Sequence, residues 1–360
     1  MLKASRISSP EAKMINCADV IVDLQQGDSG KGKVANYLAQ HGDYTHVMRY
    51  NGSNNAGHTI YLDGKKVVTH SIPVGVLHGV KSIIGSGCVL NVEHFFNELR
   101  EIEDAGVSTG GLVYIAANAH IITDSHLEED RTDTKIGTTK RGNGPAYRDK
   151  YARKGVRAAD VAELRPYIVD LYNEFYNLNS DCKILFEGAQ GFYLDIDWGD
   201  YPYVTSSHCT VGSAIMNGVP PQAIRKVLGV AKIYETYVGT KKFEPDEPVF
   251  QKIRELGGEY GATTGRPRQC NWLNLNNLMQ AARINGVTHL VINKMDILRE
   301  LGEWKMLVND EVVSFSSEKD IKEAIYAAFR NDLNLSQILW SDNPHDIGHE
   351  DESQLQLWGI

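Results

Sequence analysis

Between the apolar run Val20–Leu24 and a stretch of helical periodicity from about Gly32 lies Gln25-Gln26-Gly27-Asp28-Ser29-Gly30-Lys31-Gly32-Lys33-Val34. Glycines between a strand and a helix let backbone N–H groups converge on an anion, and the helix N-terminus and nearby lysines add positive charge. Gly27 to Lys33 has the Gly-x-x-x-x-Gly-Lys spacing of a phosphate-binding loop, so Gly30, Lys31 and Gly32 are candidate contacts for a triphosphate. Val34 stands where such a loop carries the hydroxyl that holds Mg2+. A phosphate site here therefore needs another hard oxygen donor, and Asp28 is the candidate metal ligand.

A second nucleotide signal is Asn293-Lys294-Met295-Asp296, which closes the apolar run Leu290–Asn293 and repeats the Asn-Lys-x-Asp pattern by which GTPases read guanine. A carboxylate at Asp296 can accept from guanine N1–H and the 2-amino group together. A regulatory GTPase is the rival class, but the chain contains no Asp-x-x-Gly to act as its switch. That favours an enzyme. A nucleotide-binding module without turnover is the third class.

The elements that must position these residues follow from periodicity. Short β-rich runs at Ala18–Leu24, His46–Tyr50, Lys81–Gly87, Leu112–Ala116, Lys183–Gly188, Lys226–Ile233 and His289–Asn293 alternate with amphipathic stretches. This predicts an α/β fold with a mainly parallel central sheet and flanking helices, the latter at Gly32–Gln40, Val92–Ala105, Ala162–Asn177 and Glu318–Asn331. Long polar segments at Asn51–His58, Lys135–Arg157, Gly191–Gly212 and Gly257–Arg268 read as functional loops. The expected organisation is an N-terminal extension over 1–17 and a single catalytic domain over 18–360.

Composition bounds the partners. The 360 residues are 42% apolar and 23% charged, which suits a globular chain with a large core. A formal charge of −9 argues against gripping nucleic acid, which needs clustered Lys and Arg. Five scattered cysteines, Cys17, Cys88, Cys182, Cys209 and Cys270, form no Cys-x-x-Cys pair, so neither a disulfide framework nor a zinc site is indicated. Without an apolar run of about 18 residues or a secretory-type leader, the expectation is no membrane span and a cytoplasmic location, the host cytoplasm if the chain is phage-encoded.

Four further segments, taken in order with the first loop, carry a resemblance. They are Asn54-Asn55-Ala56-Gly57-His58-Thr59; Ile136-Gly137-Thr138-Thr139 with Gly144-Pro145-Ala146-Tyr147; Glu187-Gly188-Ala189-Gln190-Gly191 with Tyr201-Pro202-Tyr203-Val204-Thr205-Ser206; and Gly261-Ala262-Thr263-Thr264-Gly265-Arg266. From near residue 18 to near residue 297 the chain resembles adenylosuccinate synthetases. The resemblance implies a P-loop-related fold and a ligase that phosphorylates O6 of a 6-oxopurine monophosphate, then lets aspartate displace phosphate. It implies Asp28 as base and metal ligand, His58 as acid, and Gly57 as a carbonyl donor to Mg2+. Asn55, Thr139, Gln190 and Thr205 match positions that hold the purine monophosphate, with Ser29 beside them. Arg153 matches an arginine from the neighbouring subunit, so a homodimer with a shared site is implied. Thr264 and Arg266 match an aspartate-binding loop, and Lys31, Arg268, Lys294 and Asp296 fall on the triphosphate side.

Three departures from the family pattern point to a particular acceptor. A glutamate after the catalytic aspartate becomes Ser29; an arginine run becomes Arg266-Pro267-Arg268-Gln269; and a segment that covers the donor base becomes Trp340-Ser341-Asp342-Asn343-Pro344. These changes are similar to those of a phage variant of the family that uses dGMP with ATP or dATP to make N6-succino-2-amino-2′-deoxyadenylate. The expectation is therefore dGMP as acceptor, with Ser29 making room for and accepting from the 2-amino group. The alternative is IMP with GTP.

Overall fold

The computed structural model describes residues 15–55, 57–62, 65–133, 137–177, 181–261, 265–331, 335–344 and 347–348. Nine strands build one sheet: β1 (Ile15–Asp23), β2 (His46–Arg49), β3 (Lys81–Ile84), β4 (Val113–Ala116), β5 (Ile168–Val169), β6 (Cys182–Glu187), β7 (Ile224–Lys232), β8 (His289–Asn293) and β9 (Gln337–Trp340). Their order is β9-β8-β7-β1-β6-β2-β3-β4-β5 and every neighbouring pair is parallel. All seven β-rich runs fall in this sheet. They read as almost continuous apolar stretches because both faces are covered. Val20, Val22, Ile184, Phe186, Leu290 and Ile292 pack on one face, and Ile21, Leu185, Leu228, Val230 and Val291 on the other.

Three of the expected helices form, at α1 (Lys31–His41), Val92–Asp104 and Glu318–Phe329. The last two are capped by Asn91, which accepts from His94 N–H, and Ser317, which accepts from Asp320 N–H. The helix expected over Ala162–Asn177 does not form. A 3-10 turn at Ala162–Tyr167 gives way to β5 and then to a short turn of π type at Asn173–Asn177. Pro166 lacks the N–H an α-helix needs and biases the residue before it away from helical backbone. The apolar pair that follows is instead used on the sheet edge beside β4.

The extension expected over 1–17 is described only from Ile15, and Ile15 and Cys17 already pair with β6. A second sheet of four strands, Tyr234–Tyr237, Gln269–Asn274, Trp304–Val308 and Glu311–Phe315, and a hairpin, His58–Leu62 with Lys65–Thr69, complete the framework of the site. The five cysteines are buried free thiols. Among the described residues no helix is long and apolar enough to cross a membrane.

In a parallel sheet the carboxyl ends of the strands share one edge, where ligands of α/β folds bind. Here β1, β2, β6 and β8 end in Asp23, Arg49, Glu187 and Asn293, so four polar side chains arrive together at that edge.

Candidate active site

Asp23, 1% exposed, anchors the glycine-rich loop. Its carboxylate accepts from Gln25 N–H (2.9 Å), Ser29 N–H (3.0 Å), the Ser29 hydroxyl (3.0 Å) and Lys31 Nζ (2.9 Å). A buried carboxylate satisfied by so many donors holds the loop in one shape. Lys31, expected on phosphate, is thus paired with Asp23 and also donates to the Gln190 carbonyl.

Ser29 was expected to face the purine. It is buried, its hydroxyl lies 3.0 Å from both Asp23 Oδ1 and Gln25 Oε1, and it does not line the cavity described below. The small residue is committed to the interior of the loop rather than turned towards a base.

Two glycines are required by close approach. At Gly30, φ is 105°, and a Cβ would stand 2.6 Å from Asn293 Nδ2, the same amide that donates to the Ser29 carbonyl at 2.7 Å. At Gly32 a Cβ would stand 2.6 Å from His58 Cβ, so the first turn of α1 and the hairpin histidine are in contact. Asn293-Lys294-Met295-Asp296 therefore lies against the phosphate loop. Lys294 donates to the Gly257 carbonyl at 2.9 Å, and Asp296 is in the first turn of the helix Met295–Leu301. Lys33 Nζ reaches Ser341 Oγ (2.6 Å) and the Asn343 carbonyl (3.0 Å), which brings the Trp340–Pro344 segment to the same loop.

A cavity of about 690 Å³ opens beside this loop. Asp28 and Lys31 line it from the loop, Asn55, Gly57 and His58 from the approach to the hairpin, and Thr139 from the segment before the helix Asn143–Tyr151. Gln190 and Thr205 line it from the segment after β6, and Arg266 and Arg268 from the connection into the second sheet. Ten of the expected residues thus meet in one space. Gly30, Gly32, Lys294 and Asp296 belong to the adjoining loop and helix rather than to its wall, and Thr264 lies outside the described residues. Arg153 is exposed just beyond the end of the helix Asn143–Tyr151 and does not reach the cavity of its own chain.

The electrostatics are built from buried pairs. Asp28, at φ 56°, presents a half-exposed carboxylate whose Oδ2 is 3.0 Å from Arg268 Nη2. Arg268 Nη1 is 2.6 Å from Glu259, which also accepts from Lys232 Nζ (3.0 Å) and the Tyr234 hydroxyl (2.6 Å). Burial pushes the Glu259 carboxyl up, but Lys232 and Arg268 outweigh it and bring its pKa to about 2. Burial and then Arg49 lower the His58 pKa to about 4, against the pull of Glu187. Burial would raise Glu187, yet Arg49 and His58 hold it at about 2. The arrangement that reconciles the two is a neutral imidazole donating to an ionised Glu187, with Arg49 as the balancing charge.

Gln190, also at positive φ (57°), donates Nε2 to Asn55 Oδ1 at 3.1 Å, while its buried Oε1 has no hydrogen-bond partner among the described residues. A strained backbone carrying an unsatisfied acceptor in a cavity is a group prepared for a ligand.

Four contributors carried no role in the sequence reading: Asp23, Glu187, Glu259 and Asp130. Asp130 accepts from Thr138 Oγ1 (2.9 Å) and Gly142 N–H (2.8 Å), tethering the segment that carries Thr139. For Asp23 and Glu187 a signal existed, a carboxylate at the end of a largely apolar strand. Among the described residues one group has metal-ligand spacing, Asp195, Asp197 and His208. Asp195 there accepts from the N–H groups of Asp197, Trp198 and Cys209, so its carboxylate is already used as a loop staple.

The site places a carboxylate, an imidazole, an amide, hydroxyls and two guanidiniums around one cavity next to a phosphate loop. The adenylosuccinate synthetase family model matches residues 20–165 and 161–327. The chain belongs to the adenylosuccinate synthetase family. It is accordingly a ligase that forms a carbon–nitrogen bond. It is 40% identical over 343 residues to the adenylosuccinate synthetase of Halothermothrix orenii, covering 80% of this chain and 79% of that one. It is 37% identical over 382 residues to that of Xanthomonas axonopodis pv. citri, covering 91% and 88%. Among solved structures, the fully ligated adenylosuccinate synthetase from Plasmodium falciparum superposes with a TM-score of 0.80 at 31% identity, covering 91% of this chain and 98% of that one. The cyanophage S-2L succinoaminodeoxyadenylate synthetase, bound to dGMP and dATP, superposes with a TM-score of 0.73 at 22% identity, covering 96% and 98%, which shows the shared fold. The fold, a large parallel sheet with flanking helices, is thus that of adenylosuccinate synthetases.

Proposed function

We propose that this chain makes adenylosuccinate, joining L-aspartate to C6 of IMP with GTP as phosphoryl donor. The observation that carries this reading is the meeting of Asp28 and His58 on one cavity with Asn55, Thr139, Gln190, Thr205, Arg266 and Arg268. The relatives at 37–40% identity support it. A 6-oxo group is a poor leaving group, so the oxygen must first be phosphorylated. Asp28 takes the N1 proton, O6 attacks the γ-phosphorus, and the nucleoside diphosphate leaves. His58, protonated on Nε2 as well once the anionic phosphates are beside it, donates to the migrating phosphoryl group, where charge accumulates. The aspartate amine then adds at C6 and loses a proton, and phosphate departs with the original O6.

Arg266 and Thr264 are proposed to hold the carboxylates of aspartate, for which a guanidinium fork is suited. The Asp28 carboxylate and the Gly57 carbonyl are hard oxygen donors on the same cavity wall and fit Mg2+, which would supply positive charge beside the phosphates. Lys31, Gly30, Gly32 and Arg268 take the triphosphate. Asp296 reads guanine, which supports GTP over the adenine donor expected from the altered tail. Arg153 is exposed and does not line its own cavity, which supports a role in a partner's site and hence a homodimer.

The dGMP expectation came from three departures similar to those of a phage variant, one of them Ser29 facing the base. Because that hydroxyl is bonded to Asp23 and Gln25 inside the loop, IMP becomes the better acceptor assignment. A substrate matrix tests this: IMP, GMP and dGMP, each with GTP, ATP and dATP, in the presence of aspartate and magnesium. The highest kcat/KM is expected for IMP with GTP. Preference for dGMP would return the chain to the phage-type reaction, and turnover independent of aspartate would make it a triphosphatase.

A further inference from the structure

Arg268 is anchored through both its backbone and its side chain. The backbone closes the neck of a loop: Arg268 N–H donates to the Glu259 carbonyl at 2.9 Å, Gly261 N–H donates to the Arg266 carbonyl at 2.9 Å, and Tyr260 and Pro267 form an antiparallel bridge. Arg254 Nε donates to the Arg268 carbonyl at 2.7 Å. The side chain divides its terminal nitrogens, Nη2 going to Asp28 and Nη1 to Glu259, while the buried Nε has no hydrogen-bond partner among the described residues. The two carboxylates differ in kind. Asp28 is half exposed on the cavity wall. Glu259 is buried, lies behind that wall, and is gripped by Lys232 Nζ at 3.0 Å and the Tyr234 hydroxyl at 2.6 Å. Lys232 Nζ also donates to Thr236 Oγ1 at 2.6 Å.

We infer that Glu259 is a positioning residue for the phosphoryl donor: by retaining Nη1 it keeps the Arg268 guanidinium directed into the cavity, where Nη2 meets the triphosphate. Asp28 gives up its hold on Arg268 when it turns to the purine and Mg2+, and Glu259 is the side-chain anchor that remains. An arginine fork left to itself pairs bidentately with a carboxylate and would close on Asp28. With Nη1 committed to Glu259, only part of the fork is offered to Asp28. Two residues before Glu259, the Gly257 carbonyl accepts from Lys294 Nζ at 2.9 Å, which ties the network to the Asn293–Asp296 segment on the donor side. Backbone hydrogen bonds already close the loop neck, so the Glu259 side chain acts on the donor rather than on aspartate. The inference rests on the reading of Arg268 as a triphosphate contact.

The test uses the full chain with Glu259→Gln, Lys232→Met, Arg268→Ala and the doubles Glu259→Gln/Lys232→Met and Glu259→Gln/Arg268→Ala. Calorimetry measures binding of a non-hydrolysable GTP analogue with magnesium, thermal unfolding reads stability, and steady-state kinetics give KM for each substrate. Glu259→Gln leaves Lys232 buried without its counter-charge and should melt lower, whereas Glu259→Gln/Lys232→Met removes that charge and serves if the single variant does not fold. Both should weaken analogue binding and raise KM for the triphosphate about tenfold, with KM for aspartate and the monophosphate within about threefold. Lys232→Met keeps the Glu259–Arg268 pair, so it should lose stability yet bind the analogue within about threefold of the parent. Glu259→Gln/Arg268→Ala should bind no more weakly than Arg268→Ala alone. Unchanged binding in both Glu259 variants, an equal loss in Lys232→Met, an equal rise in KM for aspartate, or losses that multiply in Glu259→Gln/Arg268→Ala would overturn the inference. Unimpaired binding in Arg268→Ala would overturn the reading beneath it, and the inference with it. A parent chain that ignores the GTP analogue but binds the ATP one would contradict the donor assignment alone, and the same variants measured with the ATP analogue would then decide the role of Glu259.

Discussion

Arg268 bridges Asp28 and Glu259, with Nη2 3.0 Å from the first and Nη1 2.6 Å from the second. The exposed carboxylate at the phosphate loop is thereby connected to a buried charge network in the second sheet. Lysine keeps the charge but offers a single point rather than a planar fork, and cannot span both carboxylates. Arg268→Lys should lower kcat/KM for the triphosphate about tenfold or more, close to 1.4 kcal/mol per factor of ten. Steady-state kinetics with the triphosphate varied will read this; unchanged constants would show that the bridge has no part in turnover.

Asp28→Asn removes a base while keeping the side-chain shape, so turnover should vanish and the fold remain. Arg153→Ala should also be inactive if its guanidinium serves a partner's site. Mixing the two after subunit exchange should restore about a quarter of full activity, because statistical pairing makes half the dimers mixed and each mixed dimer has one intact site. A mixture as inactive as its components, with exchange verified by mass, would argue against a shared site.

Gly32→Ala should impair both stability and turnover. Its Cβ would stand 2.6 Å from His58 Cβ, and overpacking of this kind costs about 1–3 kcal/mol. Thermal unfolding and kcat measured on the same sample are the readouts. A variant that melts and turns over like the parent would mean that the hairpin yields freely.

Glu235 is buried, accepts from Asn274 N–H at 3.1 Å, and has its pKa raised by burial to about 7. A raised carboxylate pKa means that the native chain holds the proton more tightly than the unfolded one. The associated stability is fully present below the ordinary value of 4.5 and is lost as pH rises through about 7. The difference corresponds to about 3 kcal/mol at most. Glu235→Gln keeps the acceptor without the charge, so it should raise Tm at pH 8 and leave it nearly unchanged at pH 4. Equal shifts at both pH values would assign the effect to packing instead.

The sheet was legible in the sequence because its strands are buried on both faces and read as nearly continuous apolar, β-branched stretches, as Val20–Val22 and Leu290–Ile292 illustrate. Ala162–Asn177 misled because its apolar spacing is compatible with a helix, while Pro166 and pairing with β4 decide otherwise. Site residues carried by loop motifs, such as Asp28, His58 and Gln190, were visible as types in a pattern. Direction was not visible. Ser29 stands one residue from Asp28 yet turns into the loop, because the buried Asp23 captures its hydroxyl, and no local pattern encodes that contact. The Glu187–His58 pair joins residues 129 positions apart, one at the end of β6 and the other on the hairpin strand His58–Leu62.

The central claim is that O6 of the purine is phosphorylated before aspartate displaces it, and isotope transfer tests it most directly. IMP labelled with oxygen-18 at O6 should be converted with aspartate, GTP and magnesium, and the released phosphate and purine product analysed by mass spectrometry. The account predicts one oxygen-18 in each phosphate formed with product and an unlabelled succinyl purine whose new nitrogen comes from aspartate. Unlabelled phosphate accompanying product formation would contradict it, because the oxygen leaving C6 would then not have been carried away by the γ-phosphoryl group.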